Sequence, residues 1–112
     1  MIITTEWLQA LLRGGRREED NYGYKSVEKA QRINCVDGFS MSVQASSFHY
    51  CTPRENYTEF WSEVEVGFPS EVEGKLVQWA ENLDDLTGTV YGYVPVKIVV
   101  DVINSHGGVP SN

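Results

Sequence analysis

The spacing of apolar side chains predicts one helix near the N-terminus and another near the C-terminus. Over residues 5–13 the apolar positions recur at helical spacing, Thr5 is a candidate N-cap, and Gly14 follows the last turn. Over residues 96–105 valine and isoleucine repeat at helical spacing and a glycine pair follows, whereas their many β-branched side chains favour a strand. We expect a helix over 5–13 and favour a helix over a strand for 96–105.

Alternation of apolar and polar residues predicts a hairpin over 33–45 and two further strands over 61–68 and 89–94. In the second arm of the hairpin the alternation directs one face to the core and the other to polar contacts. Asp37–Gly38 lies between the two arms and is typical of a type I′ turn, in which both central residues adopt positive φ.

A further helix is predicted over 71–82. Ser70 and Glu73 have the spacing of a capping box, in which each of the two side chains bonds to the main chain of the other residue. Apolar residues then follow at helical spacing. Gly74 costs this helix about 1 kcal/mol relative to alanine.

Together these elements predict an α+β fold in which helices pack on a small antiparallel sheet. Residues 15–26 are polar, charged and interrupted by glycine, which is typical of a connector. We therefore divide the chain into an N-terminal helix with a charged connector over 1–32 and a compact α+β domain over 33–112.

Composition and charge narrow the function classes. The length of 112 residues fits one compact domain, and 41% apolar residues suffice for a small core. The net charge of −7 argues against direct nucleic-acid binding, which requires a basic surface. No run of about 18 apolar residues predicts a membrane span. Two cysteines and no recognisable signal peptide favour a reducing cytoplasm, and no motif indicates a cofactor.

The negative charge is concentrated in the C-terminal part of the chain. Residues 33–112 hold three basic and eleven acidic side chains, a net charge of −8. Such a surface attracts a basic partner and accelerates the encounter, although solubility alone also accounts for it. The candidate partner-binding residues are Glu59, Glu63, Glu65, Glu71, Glu73, Asp84 and Asp85.

A second candidate site surrounds Arg54, which lies in a polar and aromatic stretch with His49, Tyr50 and Tyr57. An arginine among aromatic rings and hydroxyls is suited to a planar or phosphate-bearing ligand. Tyrosine and arginine also dominate protein–protein hot spots, and a local ion pair would equally account for the arginine. All three interpretations stay open at this point.

Metal binding and catalysis are not expected. Cys35, Cys51, His49 and His106 would offer zinc two sulfur and two nitrogen ligands, but their spacing is unlike that of known zinc sites. No motif indicates a strained nucleophile turn, an oxyanion loop or a phosphate-binding loop. We therefore expect neither a metal nor an enzyme.

Five separated blocks between residues 33 and 109 resemble a group of small phage and prophage proteins of uncharacterised function. The blocks are DGFSMSVQAS (37–46), HYCTPR (49–54), EVGFPS (65–70), TVYGYVP (89–95) and HGG (106–108). The resemblance implies a phage accessory protein made in a bacterial cytoplasm, and it brings no catalytic residues. Small acidic phage proteins are similar in general character to inhibitors of host defence, such as anti-CRISPR proteins, or to proteins that sequester a signalling nucleotide.

Two hypotheses follow. In the first, the acidic residues of the chain bind a basic surface on a host protein and inhibit that protein. An antiviral defence protein is the first candidate for this partner. In the second, residues around Arg54 hold a nucleotide-like ligand. A homo-oligomer is compatible with either hypothesis.

Overall fold

The structure, a computed structural model, describes residues 1–14, 16–17, 26–27 and 29–111. Within these ranges lie two helices, six strands and one short 3-10 turn. In chain order they are α1 (Thr5–Arg13), β1 (Arg16–Arg17), β2 (Ser26–Val27), β3 (Ile33–Asn34), β4 (Ser40–Gln44), β5 (Glu63–Gly67), the 3-10 turn (Val77–Trp79), β6 (Val90–Pro95) and α2 (Val96–Ser105).

The main sheet has four antiparallel strands in the order β3-β4-β5-β6. Its register places Val43 opposite Val66, and Val64 opposite Val94. These four valines are buried with side chains from both helices in one hydrophobic core. The predicted α+β fold with an antiparallel sheet is therefore confirmed.

Both terminal helices form where the sequence predicts them. Helix α1 spans Thr5–Arg13, and α2 spans Val96–Ser105, so the β-branched residues of 96–105 form a helix. The predicted N-cap at Thr5 is wrong by one residue, because the hydroxyl of Thr4 accepts the hydrogen bond from the Trp7 amide at 3.1 Å.

The hairpin forms, but its turn differs from the predicted type I′. The Cys35 amide donates to the Phe39 carbonyl at 2.8 Å, and the Gly38 amide donates to the Cys35 carbonyl at 3.0 Å, which encloses a three-residue loop. Gly38 alone adopts positive φ (96°), and Asp37 does not. A tight turn with a left-handed glycine at its end closes this hairpin, as in three-residue loops with a bulge.

The predicted helix over 71–82 is wrong. Only Val77–Trp79 forms a single 3-10 turn. The capping box is not made, because the Ser70 hydroxyl accepts instead from the Ser40 amide and the Glu73 carboxylate bonds to His106. Beyond the turn, the Glu81 amide donates to Val90 of β6, so pairing with the edge of the sheet replaces helical bonds.

The N-terminal region contributes to the same core as the sheet. Leu8 and Leu12 of α1 are fully buried among the strand and α2 side chains. The charged connector predicted over 15–26 falls largely outside the described residues. Where it is described, β1 pairs antiparallel with β2.

Candidate functional site

The seven predicted partner-binding carboxylates do not form one continuous surface. Glu63 and Glu65 bond to a loop of the same chain, and Glu73 bonds to a histidine. Glu59 is exposed and lies beside α1, where its main-chain carbonyl accepts from Arg13 at 2.7 Å. The remaining three are exposed and belong to one irregular stretch between β5 and β6; they are Glu71, Asp84 and Asp85.

Glu63 and Glu65 hold the loop that follows β4. The Thr52 hydroxyl donates to Glu63 Oε1 at 2.6 Å, and the Tyr50 amide donates to Glu65 Oε2 at 2.8 Å. Thr52 and Glu63 also pair through their main chains. Both carboxylates are half-buried and act inside the fold, which reduces what they can offer to a partner.

Glu73 belongs to a cluster centred on His106, the residue that ends α2. His106 Nδ1 lies 2.6 Å from Asp37 Oδ2, and Nε2 lies 3.0 Å from Glu73 Oε1. The imidazole stacks on Phe39, with ring centroids 4.1 Å apart. Only 17% of the His106 side chain and 13% of the Glu73 side chain are exposed. The cluster joins the hairpin turn, the end of α2 and the stretch that contains Glu73.

The cluster shifts two pKa values in opposite directions. Burial alone would lower the pKa of His106, but its hydrogen bonds and charge attraction to Asp37 and Glu73 outweigh burial and raise it. The pKa of Asp37 is lowered, chiefly by the hydrogen bond from the Phe39 amide and then by the bond to His106. Both shifts favour the charged forms of the two groups, so a protonated His106 would lie between two carboxylates.

Residues 69–89, which we call the acidic segment, carry four exposed acids, namely Glu71, Glu81, Asp84 and Asp85. The segment holds five acidic residues and one lysine, a net charge of −4. Lys75 pairs with Asp101 of α2 at 3.1 Å. Two aliphatic side chains of the segment are exposed to solvent, Val72 by 60% and Leu83 by 66%. Contiguous exposed apolar patches mark contact surfaces, whereas aliphatic side chains exposed singly are common on protein surfaces.

Around Arg54 the structure shows a contact with Tyr50, another of the four predicted ligand-binding residues. The Arg54 guanidinium lies 5.5 Å from the centre of the Tyr50 ring. His49 Nδ1 lies 2.6 Å from the Ser46 hydroxyl, within a local turn. Tyr57 lies further along the loop and is exposed.

Tyr93 is the member of this site that the sequence analysis missed. Its ring lies 5.9 Å from that of Tyr50, and its amide donates to the Tyr50 carbonyl at 2.9 Å. A bulge in the β5–β6 ladder makes this possible, since Tyr93 adopts a φ of 57°. Gly92 was the available signal, because a glycine within a strand pattern indicates a bulge or a close backbone approach. A Cβ at Gly92 would lie 3.1 Å from Tyr50 Cβ.

The four sulfur and nitrogen candidates for zinc do not come together. Cys35 and Cys51 are both buried thiols, and burial together with the nearby Asp37 raises the pKa of Cys35. His106 is bonded to carboxylates rather than to either thiol. Among the described residues, no group of three or more metal-ligating side chains could hold an ion.

A cavity of about 430 Å³ lies apart from both candidate sites. It opens between α1, β3 and the C-terminal tail, with Trp7, Leu11, Ile33 and Val109 among its lining residues. The Arg54 group, in contrast, is on an exposed part of the loop. A small ligand there would keep much of its surface in water, unlike ligands in enclosed pockets.

Within the described ranges, no helix combines the length and apolar character that spanning a membrane requires. Comparisons with protein-family models, with curated proteins and with solved structures give no match to this chain.

Proposed function

We propose that this chain is a non-enzymatic protein that binds and inhibits a host protein through its acidic segment. The partner would present a basic surface with an apolar component, and the encounter would take place in a bacterial cytoplasm. The observation that carries the proposal is the joint exposure of carboxylates and aliphatic side chains in residues 69–89. Its assignment to phage biology rests on the resemblance of residues 33–109.

Two contributions to binding would act over different distances. Exposed carboxylates attract a basic partner over about 10 Å at 0.1 M salt and thereby raise the association rate. Val72 and Leu83 lose contact with water only once the surfaces touch, so they stabilise the bound state. The half-buried Glu63, Glu65 and Glu73 contribute to the field but are already bonded within the chain.

Phe68, directly before the acidic segment, supports the proposal independently. It adopts a left-handed φ of 50°, which is uncommon for an aromatic residue, and its side chain is exposed. Its amide donates to Thr89 and its carbonyl accepts from Arg32, so neighbouring bonds hold the conformation. Backbone conformations of this kind cluster at functional sites.

The test is to capture partners from a bacterial host lysate with the immobilised chain, and then to measure association kinetics with the captured protein. Neutralising Glu71→Gln with Asp84→Asn should slow association severalfold at low salt, and this difference should shrink as salt is added. The matched control, Glu6→Gln with Glu55→Gln, removes the same charge outside the segment and should change the rate by less than about twofold. Equal slowing by the two pairs would refute a local acidic contact.

A second candidate, the sequestering of a nucleotide-like ligand, is favoured by the group of Tyr50, Arg54 and Tyr93. The guanidinium would pair with phosphate and the rings would stack on the base. Calorimetry with ATP tests it directly. Under this alternative ATP binds, and Arg54→Ala abolishes binding without lowering the melting temperature. Absence of measurable heat with the wild-type chain would exclude ATP as the ligand.

A further inference from the structure

The first half of the acidic segment is held at three points. Its start is bound to β4, because the Ser70 amide donates to the Ser40 carbonyl at 2.8 Å and the Ser70 hydroxyl accepts from the Ser40 amide at 2.9 Å. Its end is anchored by Leu76, which is fully buried. Between these anchors lie residues 71–75, of which Glu73 alone is not exposed.

Glu73 is therefore the less exposed of the two side chains that attach residues 71–75 to the body of the protein. Its Oε1 contacts His106 Nε2 at 3.0 Å, and its Oε2 accepts from the Lys75 amide at 3.2 Å. The carboxylate thus orders the local main chain and links it to α2. Lys75 adds an exposed ion pair with Asp101, which is expected to contribute little.

The charge state of His106 decides whether both of its contacts are attractive. An imidazolium donates from both ring nitrogens, so it can serve Asp37 and Glu73 together. A neutral imidazole donates from only one nitrogen, and its other nitrogen then presents a lone pair to a carboxylate. Asp37 is the closer partner at 2.6 Å, so we expect the contact with Glu73 at 3.0 Å to be lost first.

The charged groups that face His106 all favour its protonated form, whereas the apolar ring of Phe39 adds to the burial that opposes it. The hairpin turn presents the Asp37 carboxylate, the acidic segment presents the Glu73 carboxylate, and Phe39 covers the ring face. On its own helix, His106 follows the C-terminal end of α2, where the helix dipole also favours a cation. Lys75, the cation of the segment, is paired with Asp101 instead.

We propose that His106 is a proton-operated latch that holds residues 71–75 of the acidic segment when protonated and releases them when neutral. The latch deepens the proposed function, on which its biological role rests, because Glu71 and Val72 lie within the held stretch. A fixed surface binds with less loss of conformational freedom than a mobile one. Partner affinity should therefore fall as pH rises through the pKa of His106.

The latch is tested on the free protein by nuclear magnetic resonance between about pH 5 and about pH 9, the range in which histidine titrates. The chain has two histidines, so the ring signals of His106 and His49 can be followed separately. Glu73→Gln should lower the pKa of His106, because it removes one of the two carboxylates. Glu71→Gln removes the same charge from the same stretch without contacting His106, and should leave that pKa within about 0.3 units of the wild-type value.

Hydrogen exchange of the Lys75 amide, which donates to Glu73 Oε2, gives the second readout after correction for the intrinsic pH dependence of exchange. Closure of residues 71–75 raises the pKa of His106. For each pKa unit of this increase, linkage requires the equilibrium constant for local opening to rise tenfold between the acidic and the alkaline side of the titration. We expect protection of the Lys75 amide to fall by that factor on the alkaline side, while the amides of Val64 and Val66 in β5 stay protected.

Three results would overturn the latch. They are a His106 pKa that Glu73→Gln does not lower, a His106 pKa that Glu71→Gln lowers equally, and protection of the Lys75 amide that does not change with pH. None of these measurements involves a partner. If the latch works but the acidic segment binds no partner, only the proposed function is refuted. If the segment binds a partner but the latch fails, only the latch is refuted.

Discussion

Gln9 of α1 is one of three side-chain amides in the described residues that pair with both main-chain groups of a distant residue. Its Nε2 donates to the Trp61 carbonyl at 2.7 Å, and its Oε1 accepts from the Trp61 amide at 2.9 Å. Gln44 pairs with Ala30 and Asn104 with Ile3 in the same way. The Gln9 pair is the most enclosed, since Gln9 is only 2% exposed and Trp61 is fully buried.

Replacing Gln9 by leucine should destabilise the fold by about 2–4 kcal/mol. Leucine keeps the apolar bulk but offers neither a donor nor an acceptor, so both bonds to Trp61 are lost. Each buried polar group deprived of its partner costs about 1–3 kcal/mol, and a modest gain in apolar burial offsets part of the sum. Gln78→Leu is the matched control, because Gln78 is exposed and its replacement should change stability by less than about 0.5 kcal/mol.

Urea unfolding followed by tryptophan fluorescence measures this loss. With a slope of about 1.5 kcal/mol per molar urea, a loss of 3 kcal/mol lowers the midpoint by about 2 M. A Gln9→Leu midpoint within about 0.3 M of the wild-type value, or equal to that of Gln78→Leu, would refute the assignment.

Gln9→Glu refines the test through pH. An ionised carboxylate accepts from the Trp61 amide but cannot donate to its carbonyl, and it brings a charge into the interior. The protonated acid has both functions and nearly the shape of glutamine. The deficit of Gln9→Glu relative to wild type should therefore shrink as pH falls, whereas the deficit of Gln9→Leu should stay nearly constant.

Three more outcomes follow from the turns and from the His106 cluster. Gly38→Val should lower the unfolding free energy measured with urea by about 1–3 kcal/mol, because φ is 96° at this position. Gly74→Val is the control, since at both positions a new Cβ meets nothing within 4 Å, and it should cost far less. Equal losses would contradict the turn assignment. Gly108→Ala should lower the melting temperature by several degrees, because its Cβ would overlap the carbonyl oxygen of the N-terminal residue; an unchanged melting temperature would contradict the observed pairing of the termini. His106 has a raised pKa in the folded state, so its contribution to the unfolding free energy is fully present below the ordinary histidine pKa. This contribution is lost as pH rises through the raised pKa. The contribution of Asp37 to the unfolding free energy is present above the ordinary carboxyl pKa and is lost as pH falls through the lowered pKa of the folded state. The unfolding free energy should therefore peak between the ordinary carboxyl pKa and the ordinary histidine pKa. His106→Gln should abolish the decline on the alkaline side of this peak.

Local patterns predicted those elements whose defining signals lie within a few residues of one another. Helix α1 has its apolar stripe and cap within a few residues, and the hairpin has its glycine where the chain reverses. Even there, the turn type depended on whether one or two residues adopt positive φ. Residues of the same kind, Asp followed by Gly, serve both turns, so the sequence pattern does not distinguish them.

The segment 71–82 shows where local signals fail. Ser70 and Glu73 have the right identities and spacing for a capping box, but each finds a stronger or better-placed partner far away in the chain, on β4 and at the end of α2. Gly74 weakens the helical alternative, and the free edge of β6 offers main-chain bonds that compete with it. Tertiary contacts therefore override a pattern that is locally favourable.

The candidate sites divide in the same way. Charge asymmetry and the exposed acids of the segment could be read from the sequence, as could the proximity of Tyr50 to Arg54 on one loop. Three features could not be read from the sequence. They are the hydrogen bonds that Glu63 and Glu65 make within the fold, the bulge that brings Tyr93 beside Tyr50, and the contacts of His106 with two carboxylates. Each of these joins residues that are 11 to 69 positions apart, and only the packing of the sheet and helices decides which distant polar groups meet.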